Sequence, residues 1–211
     1  MIIAIDGPAA AGKGTLARRL ATHFDLAYLD TGLIYRAVGK KVLDQGGDAE
    51  DAEVAEAAAR TLSAEDIQGD GLRADEVAQA ASKVSAVPGV RARLLDFQRD
   101  FAKWPPDGKA GSVLDGRDIG TVVCPEATVK LFITASMEVR AERRVKELQG
   151  RGLEAIHSRV LEDMKERDAR DEQRSVSPLE PAKDAFQLDT SGLDADQAFN
   201  AALEFISSRD Q

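Results

Sequence analysis

One run near the start, Gly7-Pro-Ala-Ala-Ala-Gly-Lys-Gly-Thr15, limits what this chain can fold into more than any other stretch. It follows Ile2-Ile3-Ala4-Ile5, an apolar run that reads as a buried strand. It precedes Leu16, Ala17, Leu20, Ala21 and Phe24, spaced as the inner stripe of a helix. Strand, glycine loop and helix together make the context of a phosphate-binding loop. Glycines let successive backbone N–H groups turn inward around phosphate oxygens, and the helix start adds its positive dipole end. Lys13 is placed to reach the outer phosphates as a point charge. The candidate phosphate-binding residues are therefore Gly7, Pro8, Ala9, Ala10, Ala11, Gly12, Lys13, Gly14 and Thr15. Gly14 stands where such loops usually carry a Ser or Thr hydroxyl. This favours a magnesium ion held mainly by phosphates and water, with no direct protein ligand assigned. The competing reading is an ordinary Gly-rich turn.

The 211 residues suffice for one compact domain with small appendages, and 43% hydrophobic with 31% charged residues is a globular composition. A net charge of −9 and only 5% aromatic residues argue against a nucleic-acid-binding surface. Cys124 is the only cysteine, so neither an internal disulfide nor a cysteine-based zinc site is available. It reads as a packing residue. The apolar start is too short for a signal peptide, and no stretch approaches the roughly 20 apolar residues of a membrane span. The expectation is a cytoplasmic, monomeric protein without membrane contact.

Further along, Ala27-Tyr28-Leu29 reads as a second strand, and Thr31 as the N-cap of a helix with Ile34, Ala37 and Val38 inward. Residues 48–63 are alanine-rich and helical in spacing. Ser63 to Ala74 is polar and glycine-punctuated, a loop or a small hairpin. A helix over 75–86 follows. Pro88 opens another, with Val90, Leu94, Phe97 and Phe101 as its inner stripe and Trp104 packed at its end. Ser112–Asp115, Thr128–Thr134 and Ala185–Leu188 read as strands. Between the last two lie a helix capped by Ser136 and another from about Leu153 past Arg167. Asp194 with Gln197 resembles a capping box for a final helix. His23 and His157 are ordinary helix residues. Strands alternating with helices imply an α/β fold: a three-layer, five-stranded parallel sheet covered on both faces.

Ligands gather beyond the C-terminal ends of parallel strands. Three polar clusters fall there: the glycine loop, Asp30-Thr31, and Asp115-Gly-Arg-Asp118. A fourth, Arg167, Arg170, Asp171 and Arg174, occupies one arc if the helix continues that far. Three guanidiniums on one face repel unless an anion sits against them. The alternative is local pairing, Asp163–Arg167, Glu166–Arg170 and Arg170–Asp171.

These residues carry a family resemblance. The glycine loop, Asp30-Thr-Gly-Leu-Ile-Tyr-Arg36, Asp115-Gly-Arg-Asp-Ile-Gly-Thr121 and Glu166-Arg-Asp-Ala-Arg-Asp-Glu-Gln-Arg174 together resemble bacterial cytidylate kinases. Gly-Lys-Gly-Thr alone indicates only a nucleoside monophosphate kinase; the second and third elements make the match specific. The resemblance implies a P-loop core (1–37, 108–145 and 176–211), a mostly helical monophosphate-binding insert (38–107) and a helical lid (146–175). ATP would lie over Gly7 to Thr15. Arg36, Arg117, Arg167 and Arg174 would hold the acceptor phosphate, with Thr31 and Tyr35 lining its pocket. Ser82, Arg91 and Asp118 would read cytosine, and Asp171 would bind the sugar hydroxyls. Lys13, Arg167 and Arg174 would be catalytic. The implied reaction is ATP-dependent, magnesium-assisted phosphorylation of CMP and dCMP. The alternatives are a kinase for another monophosphate or a non-catalytic nucleotide switch, although the guanine motif Asn-Lys-x-Asp is absent. The insert of this family usually carries a small antiparallel sheet. Ser63–Ala74 is too short and too poor in β-formers for a full one.

Overall fold

The computed structural model describes residues 1–208; residues 209–211, the end of the expected core segment 176–211, lie outside the described residues. Five strands form one parallel sheet: β1 (Ile2–Asp6), β2 (Ala27–Asp30), β3 (Ser112–Gly116), β4 (Val129–Thr134) and β5 (Phe186–Asp189), in the order β2-β3-β1-β4-β5. Side-chain alternation sorts the strand residues to the two faces. Ile3, Ile5, Val113, Leu131 and Ile133 pack under α1 (Lys13–His23) and α9 (Ala195–Ser208), with Leu20, Ala202 and Ile206. Ala4 and Leu114 face the other way, toward Ile119, Val123 and Cys124. Each fully buried Ile or Leu here stabilises the fold by about 1.5–3 kcal/mol. Burial raises the Cys124 thiol to about 11, which fits a packing role. Asp194 and Gln197 form the expected reciprocal cap on α9.

Between β2 and β3 the chain makes a helical excursion: α2 (Thr31–Asp44), α3 (Ala52–Arg60), α4 (Ala64–Gln68), α5 (Asp75–Val84) and α6 (Pro88–Lys103). Its apolar cluster, including Ile34, Val38, Val42, Val84, Val90 and Leu94, is separate from those on the sheet. Between β4 and β5 the chain folds into a hairpin of α7 (Met137–Gly150) and α8 (His157–Gln173) around Ala141, Leu148, Val160 and Met164.

Several expectations are corrected. Ser63–Ala74 is neither plain loop nor hairpin: α4 forms because Ser63 and Asp66 cap each other's backbone N–H, and Asp66 also pairs with Lys41 at 2.8 Å. Among the described residues no strand pairs there, so the family's small sheet is replaced by a helix. The inner stripe of α6 runs through Val90, Arg91, Leu94, Gln98 and Ala102. Phe97 is 47% exposed, because helical spacing from Leu94 brings Gln98 inward and leaves Phe97 at the edge. Trp104 is 70% exposed and lies near the Lys103 ammonium instead of packing. Thr31 is not a cap: α2 starts at Thr31 itself, and its hydroxyl donates to the Asp115 carbonyl at 2.8 Å. The second hairpin helix starts at His157, later than Leu153, after Gly152 turns the chain with φ 74°.

Gly39 marks where α2 crosses α5. A Cβ there would lie 2.8 Å from the Ala81 nitrogen and 3.0 Å from the Ala80 carbonyl carbon. In an open helix Gly→Ala gains about 1 kcal/mol from propensity. Here the overpacked crossing dominates, and Gly39→Ala is expected to lower stability by about 1–3 kcal/mol. Urea unfolding checks this; a midpoint at or above wild type would show that the helices part freely.

Candidate active site

The glycine loop wraps the C-terminal end of β1. Gly7 has φ 143°, and a Cβ there would sit 2.0 Å from the Ile133 carbonyl oxygen of β4, so only glycine fits. Ala10 has φ 58° and packs against the α7–α8 cluster. Gly12 turns the chain into α1. Lys13 is buried, and its Nζ donates to the Pro8 carbonyl at 2.8 Å. Thr15 is exposed on α1.

Facing the loop is a cleft of about 250 Å³, lined by all ten residues expected on the acceptor side: Thr31, Tyr35, Arg36, Ser82, Arg91, Arg117, Asp118, Arg167, Asp171 and Arg174. Ala9, Ala10 and Lys13 form its other wall. The polar ends of three strands meet there, since Asp30 lies opposite Asp115 and Ile5 opposite Asp115 in the sheet register. The excursion contributes Ser82 from α5 and Arg91 from α6; the hairpin contributes Arg167 and Asp171 from α8. The expected single arc of α8 is corrected at its end: the helix stops at Gln173 and Arg174 follows as its C-cap. Arg174 Nε donates to the Ser177 carbonyl at 2.5 Å.

Among the described residues the local ion pairs expected along α8 do not form, although Arg170 Nε donates to the Glu166 carbonyl at 3.4 Å. Arg117 Nε holds Asp171 Oδ2 at 3.0 Å, Arg91 Nη2 holds Asp118 Oδ2, and Arg174 Nη2 lies 4.0 Å from Asp118 Oδ1. Arg170 instead reaches across the cleft to Gln79 Oε1 at 2.9 Å. Buried atoms without a partner include Ser82 Oγ, Arg91 Nε, Arg167 Nε and Arg174 Nη2. Each such group costs about 1–3 kcal/mol until a ligand satisfies it.

Charge in the cleft is strongly perturbed. Burial, with Arg117, Arg36 and Arg144 nearby, lowers Arg167 to about 10. Arg36 is lowered to about 10 by burial and by Arg144, partly offset by Asp30. Burial raises the Asp171 carboxyl, but Arg117, Arg167 and Arg174 outweigh it and hold it below its usual range. Burial and Arg117 together lower Lys13 to about 7. Asp115 is shifted upward by burial, against the pull of Lys13. Asp6 rises to about 7 through burial, although it accepts the Ile119 and Gly120 N–H groups at 2.7 Å. Such a concentration of cations with unused donors is built to receive an anion of more than one charge.

The cleft also holds residues that the sequence reading missed. Arg73 and Arg144 add to its positive field, beside Asp30 and Asp115 of the strand-end clusters already noted. Arg144 is pinned by Asp75 at 2.6 Å and Glu147 at 2.9 Å. Only the i, i+3 spacing of Arg144 and Glu147 was visible in the sequence.

Comparison with known proteins agrees with this geometry. The family model described as cytidylate kinase matches residues 3–208. The chain belongs to the cytidylate kinase family. The cytidylate kinase of Paramagnetospirillum magneticum is 68% identical over 208 residues, covering 99% of this chain and 98% of that protein. That of Rhodospirillum rubrum is 58% identical over 211 residues, covering 100% and 99%. Among solved structures, an uncharacterized protein from Eubacterium ventriosum matches with a TM-score of 0.58 at 16% identity, covering 99% of each chain. A gluconokinase from Sinorhizobium meliloti matches with a TM-score of 0.50 at 14% identity, covering 98% and 91%. At that identity these two speak only for the fold. Among the described residues no helix is long and apolar enough to cross a membrane.

The lowered Lys13 has a measurable consequence. Because burial and Arg117 lower Lys13 to about 7, the free loop is expected to carry part of it as neutral amine at pH 8, and a bound polyphosphate to raise it again. Binding should therefore take up as much as one proton, with affinity falling as pH rises above about 7. Calorimetry with a triphosphate in two buffers of different ionisation enthalpy reads the uptake, which Lys13→Met should remove. Binding at pH 8 without proton uptake would show Lys13 already charged in the free loop.

Proposed function

We propose that the chain transfers the γ-phosphoryl group of ATP to CMP or dCMP, giving ADP and CDP or dCDP. The observation that carries this reading is a cleft in which the glycine loop faces crowded, incompletely bonded arginines, with a cytosine-complementary trio made by Ser82 and Arg91 from the excursion and Asp118 from the end of β3. ATP lies along Gly7 to Thr15, its phosphates bound by backbone N–H groups and Lys13. Arg36, Arg117, Arg167 and Arg174 hold the acceptor phosphate, and Thr31 and Tyr35 line its place. Asp171 takes the sugar hydroxyls once Arg117 turns toward phosphate.

Cytosine presents an amino donor beside two acceptors. Asp118 Oδ1, which lies 4.0 Å from Arg174 Nη2, suits the amino group. The free Ser82 hydroxyl and Arg91 Nε suit the acceptors. Uracil reverses the pattern at two of those atoms and leaves buried groups unpaired, at about 1–3 kcal/mol each.

In the reaction an acceptor phosphate oxygen bonds to the γ-phosphorus while the bond from that phosphorus to the bridging oxygen breaks, and ADP leaves. The arrangement holds donor and acceptor in line, with Lys13, Arg167 and Arg174 neutralising charge on the moving group. We assign 1–37, 108–145 and 176–211 to the core, 38–107 to a monophosphate-binding insert and 146–175 to a lid that excludes water. Magnesium fits this site as a passenger on the phosphates. Among the described residues no three His, Cys, Asp or Glu side chains cluster as a metal site. The carboxylate Asp115 Oδ2 would lie 3.2 Å from a Cβ at Gly14, beside the place of the missing loop hydroxyl. Asp115 would hold a water of the ion, and the ion would supply charge neutralisation to the phosphates.

The test is ADP release from Mg-ATP with CMP, dCMP, UMP, AMP and GMP offered separately. CMP and dCMP should lead, with kcat/KM for UMP lower by about 10-fold or more. Lys13→Ala should lower kcat by about 100-fold or more without a matching loss of thermal stability. Equal efficiency with CMP and UMP would remove the base-reading roles of Ser82, Arg91 and Asp118. No acceptor-dependent turnover would overturn the reading as a whole.

A further inference from the structure

Two core arginines grip α8 one turn apart. Arg117 reaches it from the end of β3 through Asp171, inside the cleft. Arg140, in the first turns of α7, reaches it through Asp168, with Nη2 to Oδ2 at 2.6 Å and both side chains buried. Neither Arg140 nor Asp168 lines the cleft, and no role proposed above uses them. Arg140 has two backbone partners besides the Met137 sulfur: its Nε donates to the Ala135 carbonyl at 3.0 Å, just after β4, and its Nη1 to the Ala9 carbonyl at 3.3 Å, in the phosphate loop. One guanidinium thus ties sheet, phosphate loop and α8 together. Next to it the Ala10 methyl packs on the cluster containing Met164 of α8, a second, apolar link between loop and helix.

Stability alone is a weak reason for such a pair, because burying two charges costs about as much as their attraction returns. The planar fork of arginine instead fixes direction. Asp168 is adjacent in the chain to Arg167 and one turn before Asp171. Whatever sets the rotation of α8 at Asp168 also sets where Arg167 points. The two grips differ in fate: Arg117 faces the cleft and is available to a phosphate, whereas Arg140 faces away and keeps its hold.

We infer that Arg140 and Asp168 are positioning residues for phosphoryl transfer, holding α8 in register with the phosphate loop so that Arg167 is aimed while Arg117 changes partners. This rests on the phosphoryl-transfer reading above. Misplacing a charge-bearing group by about 1 Å can cost on the order of 100-fold in rate.

The experiment compares Asp168→Asn in two backgrounds, wild type and Arg167→Ala, by steady-state kinetics with ATP and CMP. In wild type, kcat should fall by about 10- to 100-fold with KM for CMP changed less than about threefold. In the Arg167→Ala background the further loss should be less than about threefold, because the residue being aimed is gone. Arg140→Lys keeps a cation in the buried site but cannot make all three contacts, and should lower kcat in the same background-dependent way. An equal loss in both backgrounds, or an unchanged kcat in wild type, would overturn the inference. Amide exchange of residues 157–173 in the ligand-free protein separates the two readings. Asp168→Asn should speed it there relative to β1, even if CMP proved not to be the substrate. Unchanged exchange would overturn the positioning role independently of any activity.

Discussion

Lys13, Arg36, Arg117 and Arg167 are drawn out of water and set close enough to depress or perturb one another, in a chain whose net charge is −9. No arrangement of that kind lowers the energy of the empty protein. The surrounding carboxylates, Asp115, Asp118 and Asp171, hold the cations in place but leave several donors unused. The deficit is recovered only when phosphates enter. The site is therefore costly to assemble and selective for highly charged ligands for one and the same reason.

The fold supplies what that crowding needs. Parallel strands end together, so loops distant in sequence deliver Lys13, Asp30 and Asp115 to one edge. The phosphate loop comes so close to β4 that Gly7 has no room for a side chain. The two helical pieces, one before β3 and one after β4, then close over that edge. They meet through Arg144 with Asp75, Arg170 with Gln79, and Arg151 with the Arg73 carbonyl.

Much of this was legible beforehand because it rests on local pattern. The glycine loop, the alternation of strands and helices and the Asp-Gly-Arg-Asp turn each announce themselves within a few residues, and all ten acceptor-side candidates meet in the cleft. The failures came where tertiary partners decide. Phe97 looked like core, yet helix rotation leaves it exposed and turns Gln98 inward. Thr31 looked like a cap, but the Asp115 carbonyl from the neighbouring strand took its hydroxyl. Ser63 and Asp66 did carry a capping signal, hidden by the glycines that follow. The Arg140–Asp168 pair has no signature at all, because its partners lie on different helices and its third contact is a backbone carbonyl.

The helical excursion keeps an apolar cluster of its own around α2, α3 and α5, while α6 also reaches the sheet through Ala102 and Leu95. A segment that leans mostly on itself opens at a lower free energy than a central sheet. Ser82, on α5, sits on the side that can loosen, whereas Arg91, on α6, sits on the helix that ties the excursion to the sheet. One wall of the cleft is thereby softer than the other.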